Sequence, residues 1–317
     1  MAVTGLLLTG ACAVEAEDDV RARTRGTGTE LGDGLEVAKG SALVGTVFPG
    51  QSLSGNISAQ GSVASADSWT AILQLDGNPI TVLNRYLRQA ADSGFDVGAE
   101  CLLAYDDGRG VVPRPRSPDP EGLRSLTCKV IGNADIDGAS PISLSMELRR
   151  SAGSTPYEDT IIIRVAHHPA GASPQLVPQG WDATLPAAWK EGVPSPPEQP
   201  RVAKVGQPIR REDPQYARLI DVVEGTRLLA PPALPCWLRG GFDAVLEVKG
   251  DVADALDAYE AQFEDIGFTV DRGSSEFREH AVTFDEGVGD AGNYAAIAVH
   301  GEGEQPTYLH LWFCPPT

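Results

Sequence analysis

At 317 residues, with 42% hydrophobic and 22% charged residues, the chain has the size and composition of two globular domains of about 100–130 residues each. A net charge of −19 sets its surface against nucleic acid and anionic lipid headgroups, and leaves cations, basic proteins or plain solubility as its meaning. The acid is uneven: residues 42–168 hold 14 Asp/Glu against 10 Lys/Arg, whereas residues 222–317 hold 17 against 5.

The first element is an apolar run, Met1 to Ala11, ending at Cys12. It is too short to span a bilayer, which takes about 20 apolar residues, and residues 1–11 read as the end of a signal peptide. No Lys or Arg precedes the run, so the true start is expected upstream of Met1. Leu8-Thr9-Gly10-Ala11-Cys12 resembles a bacterial lipobox, with Thr9 where Leu is commoner. The resemblance implies cleavage before Cys12, diacylglycerol on its sulfur and a place at the bacterial cell envelope outside the cytoplasm. Residues 12–41, rich in Gly, Thr, Arg and acid, are read as a flexible tether.

Two stretches repeat one another. Ala71-Ile72-Leu73-Gln74-Leu75-Asp76-Gly77 answers Ala244-Val245-Leu246-Glu247-Val248-Lys249-Gly250. Leu83, Tyr86, Gln89, Asp92, Gly94, Phe95 and Val97 then answer Leu256, Tyr259, Gln262, Asp265, Gly267, Phe268 and Val270 at the same offset, without a gap. The matches fall mainly at apolar and glycine positions, the mark of a duplicated domain. The first copy is placed at 42–168, a Pro/Gly-rich linker at 169–215 and the second copy at 216–317. Val44–Pro49 is aligned with Val223–Leu228 as the entry segment.

Each copy predicts a strand (Trp69–Leu75; Phe242–Val248) and then a helix. Ile80, Leu83, Tyr86, Leu87 and Ala90 form one helical stripe, and Val252, Ala255, Leu256, Tyr259, Phe263 and Ile266 the other. Asn78-Pro79 is an N-cap with proline at the first helical position. Gly94 and Gly267 stand where a helix ends in the left-handed region. Further strands are predicted at Cys101–Tyr105, Leu126–Ile131, Ile142–Arg149, Thr160–Ala166, Phe277–Phe284, Tyr294–His300 and Thr307–Phe313. The fold class is α+β: two tandem domains, each a single helix on a mostly antiparallel sheet. This plan is similar to the small tandem α+β domains of bacterial envelope lipoproteins. Trp181 and Trp189 are expected to pin the linker.

Five cysteines divide into lone Cys12 and two pairs, Cys101–Cys128 and Cys236–Cys314, each within one copy. That arrangement indicates an oxidising compartment, and neither pair has the close spacing of a zinc or redox site. Asn133, Asp135 and Asp137, followed by Gly138, have the alternate oxygens of a calcium loop. Leu144 stands where a helix–loop–helix site carries Glu, and Asp137-Gly138 also suits a hairpin turn, so calcium is the weaker alternative and no other cofactor is called. The five histidines (His167, His168, His280, His300, His310) are read as surface or half-buried. Basic residues Arg109, Arg114 and Arg116 are proposed to contact the acidic second copy or a partner resembling it. No GxSxG, SxxK, HExxH or phosphate-binding GxxxxGK[ST] occurs. The function read from the sequence is a lipid-anchored, non-catalytic envelope protein that binds a partner or ligand. An envelope hydrolase with a carboxylate or histidine site and an accessory subunit of an envelope assembly are the alternatives.

Overall fold

A computed structural model describes residues 24–50, 67–105, 110–113, 123–136, 140–151, 160–169, 176–186, 189, 202–209, 220–232, 242–289, 292–303 and 305–314. In the first unit they form β1 (Thr24–Arg25), β2 (Glu30–Gly32), β3 (Leu35–Glu36), β4 (Ser41–Val44), β5 (Phe48–Pro49), β6 (Trp69–Leu75), α1 (Pro79–Asp92), β7 (Asp96–Tyr105), β8 (Gly110–Pro113), β9 (Leu123–Ile136), β10 (Ser140–Ser151) and β11 (Thr160–His167). The second unit has β12 (Thr226–Leu228), β13 (Phe242–Val248), α2 (Val252–Glu264), β14 (Phe268–Phe277), β15 (His280–Gly289), β16 (Gly292–Val299) and β17 (Thr307–Cys314). The α+β class holds: each unit is one helix with an antiparallel sheet.

Strand order shows the duplication. The first sheet runs β1-β4-β6-β11-β10-β9-β7-β8, with β5 beside β6; the second runs β12-β13-β17-β16-β15-β14. Matching β4 to β12, β6 to β13 and β7 to β14 brings every other strand of the second sheet onto a partner in the same order. Both helices start on a side-chain cap. Asn78 accepts from the Thr81 N–H and Asp251 from the Ala253 N–H, satisfying amides that a first helical turn leaves open. Both end at a glycine of positive φ, 91° at Gly94 and 94° at Gly267, which lets the chain turn straight into the next strand.

The structure corrects the boundaries of the repeat. The Tyr86 hydroxyl accepts from the Ala38 N–H at 3.0 Å and lies 2.8 Å from Ser41 Oγ. Tyr259 does the same with the Val223 N–H at 3.4 Å and Thr226 Oγ1 at 3.2 Å. Gln89 receives the Glu36 N–H, and Gln262 the Asp221 N–H. The true counterpart of Asp221–Leu228 is therefore Glu36–Leu43, not Val44–Pro49. The sequence alignment slipped because short Val/Gly/Thr strings match in several registers, whereas buried hydroxyls have one set of donors.

Residues 24–41 are accordingly not free tether: Leu31, Leu35, Val37 and Ala38 are buried in the first core. Described parts of the supposed linker are built in as well. Leu185 and Trp189 join the first core, and Ala203 and Ile209 the second. Its irregular backbone makes strand-like bridges instead of long ladders, Ala99 with Asp182 and Pro208 with Asp221. Prediction from local composition misses such segments because their order comes from contacts remote in sequence. Trp189 is buried, while Trp181 is only half-buried. The predicted strand Phe277–Phe284 is broken near its start: His280–Phe284 belongs to β15, but Phe277 ends β14 and a turn lies between. β14 and β15 pair Phe277 with His280, and Arg278 and Glu279 form a two-residue loop with φ of 48° and 70°, the positive values that a tight hairpin demands.

Side-chain alternation gives each strand of the second sheet two faces. Phe242, Ala244, Leu246, Tyr294, Ala296, Leu309, Leu311 and Phe313 pack with Leu256, Tyr259 and Phe263 of α2. Phe263 stacks on Tyr294 with ring centroids 3.8 Å apart. The other face sends Val245, Val282, Ala295, Ile297 and Val299 into the core of the first unit, joined by Tyr308 and Trp312. The two sheets thus lie face to face with the helices outside.

Candidate functional site

Charged side chains meet where the two sheets touch. Asp243 projects from β13 toward the first unit, opposite in direction to its neighbours Phe242 and Ala244. Arg164 of β11 donates through Nη2 to Asp243 Oδ2 at 2.8 Å. His310 Nε2 of β17 lies 2.7 Å from Asp243 Oδ1. Strand register brings them together: Asp243 pairs with Trp312, which places His310 on the same face one step along. Phe48 of β5 packs on the imidazole with centroids 5.0 Å apart. Asp243 is 1% and His310 3% exposed. A carboxylate so far out of water is tolerable because the guanidinium and imidazole both hydrogen-bond to it. Breaking such a pair leaves a charge stranded, so the cluster holds the two sheets in one relative position.

Chemically, an aspartate orienting a histidine is half of an acid–base device. The free half, His310 Nδ1, is buried and has no hydrogen-bond partner among the described residues. No Ser, Thr or Cys nucleophile is placed at that nitrogen among the described residues. His310 is 3% exposed among the described residues.

A second cluster joins the amino-terminal hairpin to both units. Asp33, in the turn between β2 and β3, accepts from Trp69 Nε1 at 2.6 Å and stands 3.1 Å from His167 Nε2. Arg278, from the β14–β15 turn, lies over the Trp69 ring at 5.7 Å, a cation–π contact. The turn that sequence reading had drawn as strand is thus a clamp between the units.

A third cluster is external. Arg272 of β14 donates to Asp285 through Nε at 2.6 Å and Nη2 at 2.9 Å, and bridges to Asp257 and Glu260 of α2. The hydrogen bonds to Asp285, with those to the surrounding acids, hold the Arg272 guanidinium firmly charged. On the opposite face, burial and the carboxylate of Asp271 push Glu286 above the usual carboxylate range.

The sequence-predicted residues fare differently. Cys101 and Cys128 face one another on β7 and β9 and form a disulfide in the core. Cys12, Cys236, Arg109, Arg114, Arg116 and Asp137 lie outside the described residues, so the lipid site, the second disulfide and the basic loop do as well. Asn133 and Asp135 run within β9, opposite Ser143 and Pro141. Through Ile136 that stretch is extended strand; Asp137 and Gly138, the rest of the candidate loop, lie outside the described residues. Among the described residues no group of His, Cys, Asp and Glu is arranged to hold a metal. His167 and His168 do diverge, to Asp33 and Ser143, and His300 and His310 occupy opposite faces. The reading of His310 as a surface or half-buried residue is overturned by Asp243. Sequence reasoning missed Arg164 and Asp243 altogether. The one available signal was Asp243, charged and, with Glu247, set among the apolar residues of Phe242–Val248.

No family model matches the chain, and no curated protein does. Solved structures give distant likenesses. The bifunctional dehydratase-cyclase domain in ambruticin biosynthesis is 12% identical over 78% of this chain and 92% of that one, with a TM-score of 0.15. The 12:0-ACP thioesterase from Umbellularia californica is 8% identical over 78% and 98%, with a TM-score of 0.14. Likeness at this level carries no argument about chemistry.

Proposed function

We propose that the chain is a lipid-anchored, extracytoplasmic protein of the bacterial envelope that binds a partner or ligand and performs no catalysis. The observation that carries the non-catalytic part is the closure of the Arg164–Asp243–His310 cluster. Its charges are neutralised by one another between two packed sheets. The core disulfide Cys101–Cys128 supports an oxidising compartment. The lipobox-like string at Cys12 supports the anchor. Among the described residues no helix is long and apolar enough to cross a membrane. A diacylglycerol brings two acyl chains, enough for stable anchoring without a second signal. The test is mass spectrometry of the mature amino terminus with co-purification from detergent-solubilised membrane. A diacylglyceryl cysteine at position 12 and a stoichiometric partner are expected; an unmodified Cys12 removes the anchor, and recovery of the chain alone removes the binding role.

A further inference from the structure

We propose that the outer edge of β14 takes up an extended basic segment of another protein as one more antiparallel strand, which deepens the binding reading above and rests on it. β14 ends the second sheet, and no described strand pairs with its outer side. Its counterpart in the first unit, β7, shows what that edge accepts. Ala99 exchanges both backbone hydrogen bonds with Asp182, at 2.8 and 3.2 Å. Farther along, β8 pairs with Leu102–Tyr105. The constant offset places Arg272 at the position of Ala99, so its N–H and C=O point outward. Two-residue alternation adds Val270, Ser274 and Glu276.

These groups form a ready ladder for an incoming strand. The Arg272 guanidinium does not obstruct it, being drawn across β14 onto Asp285, Asp257 and Glu260. The face is open too. In the first unit a Cβ at Gly98 would run into Val177 and Trp181, which cover that strand; the equivalent residue here is exposed Asp271.

Charge selects the occupant. Residues 251–286 hold 11 Asp/Glu and two Arg, and Asp251, Asp254, Asp257, Glu264, Asp271 and Glu276 are exposed. A second copy of this acidic chain would be repelled, whereas alternating Lys or Arg on an extended partner would be drawn in.

The probe is a peptide of alternating Arg and Val as long as β14, titrated against the full chain. Controls are the same peptide with Glu for Arg and one interrupted by Pro. Binding is read by anisotropy, and hydrogen exchange is followed along β14. Slowed exchange at Val270, Arg272, Ser274 and Glu276 is expected, with affinity at least about tenfold lower for the interrupted peptide. Ser274→Pro, on an exposed edge that tolerates proline, should weaken binding about as much while leaving the circular dichroism spectrum intact. If that variant unfolds, D271N with E276Q replaces it and should weaken binding and flatten its salt dependence. Equal binding of the interrupted peptide, protection away from β14, or protection that appears only on self-association overturns the proposal. Those results leave co-purification from membranes untouched; conversely, a chain recovered without a partner defeats the binding role whether or not the peptide binds.

Discussion

In the first unit, the strand after the helix carries Gly98 beneath Val177 and Trp181, Ala99 bridged to Asp182, and Cys101 in a disulfide. In the second, the same three positions are Asp271, Arg272 and Ser274, and no described strand pairs with that edge. The Cys101–Cys128 bond has Ser274 and Thr283 at its counterpart, and the Gly98/Ile131 pair has Asp271 and Glu286. Yet beneath these differences Tyr86 and Tyr259 bond equivalent backbone amides, and two glycines of near-identical φ end the helices. Duplication has preserved what backbone geometry and buried donors require. It has freed what only faces solvent, and there one copy became a covered edge and the other an acidic, open one.

Removing the disulfide by C101S with C128S should have the largest effect, because the bond constrains the unfolded chain as well as the fold. A loss of about 2–4 kcal/mol is expected, concentrated in the first unit. Denaturant unfolding followed by hydrogen exchange on β7 and β9 would show it; equal loss of protection across β14 and β15 would mean that the units melt as one.

The paired tyrosines come next. Tyr86→Phe strands the Ala38 N–H and should cost about 1–3 kcal/mol. Tyr259→Phe removes longer bonds, 3.4 and 3.2 Å, and should cost less. Thermal melts of both variants check the order, and a reversed ranking would show that the repeats are not equivalent locks. Burial pushes Tyr259 up to about 12, so its contribution is whole below the unfolded phenol pKa of about 10 and is lost as pH rises through about 12. The Phe variant should lack that alkaline limb.

The smallest effect is expected at Glu286. Burial, then Asp271, raises its folded pKa; the stability tied to its neutral form is full below the unfolded glutamate pKa and lost as pH rises through the folded one. Glu286→Gln should match the parent in acid and exceed it at neutral pH by less than about 1 kcal/mol, the group being partly solvated. A variant less stable at neutral pH would point to an ion pair for Glu286 instead. Ile131, at the equivalent place in the first unit, has no such pH term.

Much of the framework was legible. Apolar stripes at Leu83, Tyr86 and Leu87 and at Leu256, Tyr259 and Phe263 located both helices, because burying one face of a helix imposes its period on the sequence. Asn78, Gly94 and Gly267 marked helix ends for reasons local to the backbone. Leu31, Leu185, Trp189 and Ile209 did not announce themselves, since isolated apolar residues among Gly and Pro carry no period. The Asp243–His310 pair was hidden for a related reason: 67 residues separate its members, and only strand register joins them.

The order of residues alone therefore determined that one strand–helix–sheet unit occurs twice, since period, caps and glycine turns are written within a few neighbouring positions. Tertiary structure decided where each copy begins, which faces of the two sheets meet, that Arg164 and His310 both reach Asp243, and that one of two equivalent edges has no described strand beside it. Those outcomes depend on which distant groups come within hydrogen-bonding reach, and no local pattern encodes that distance.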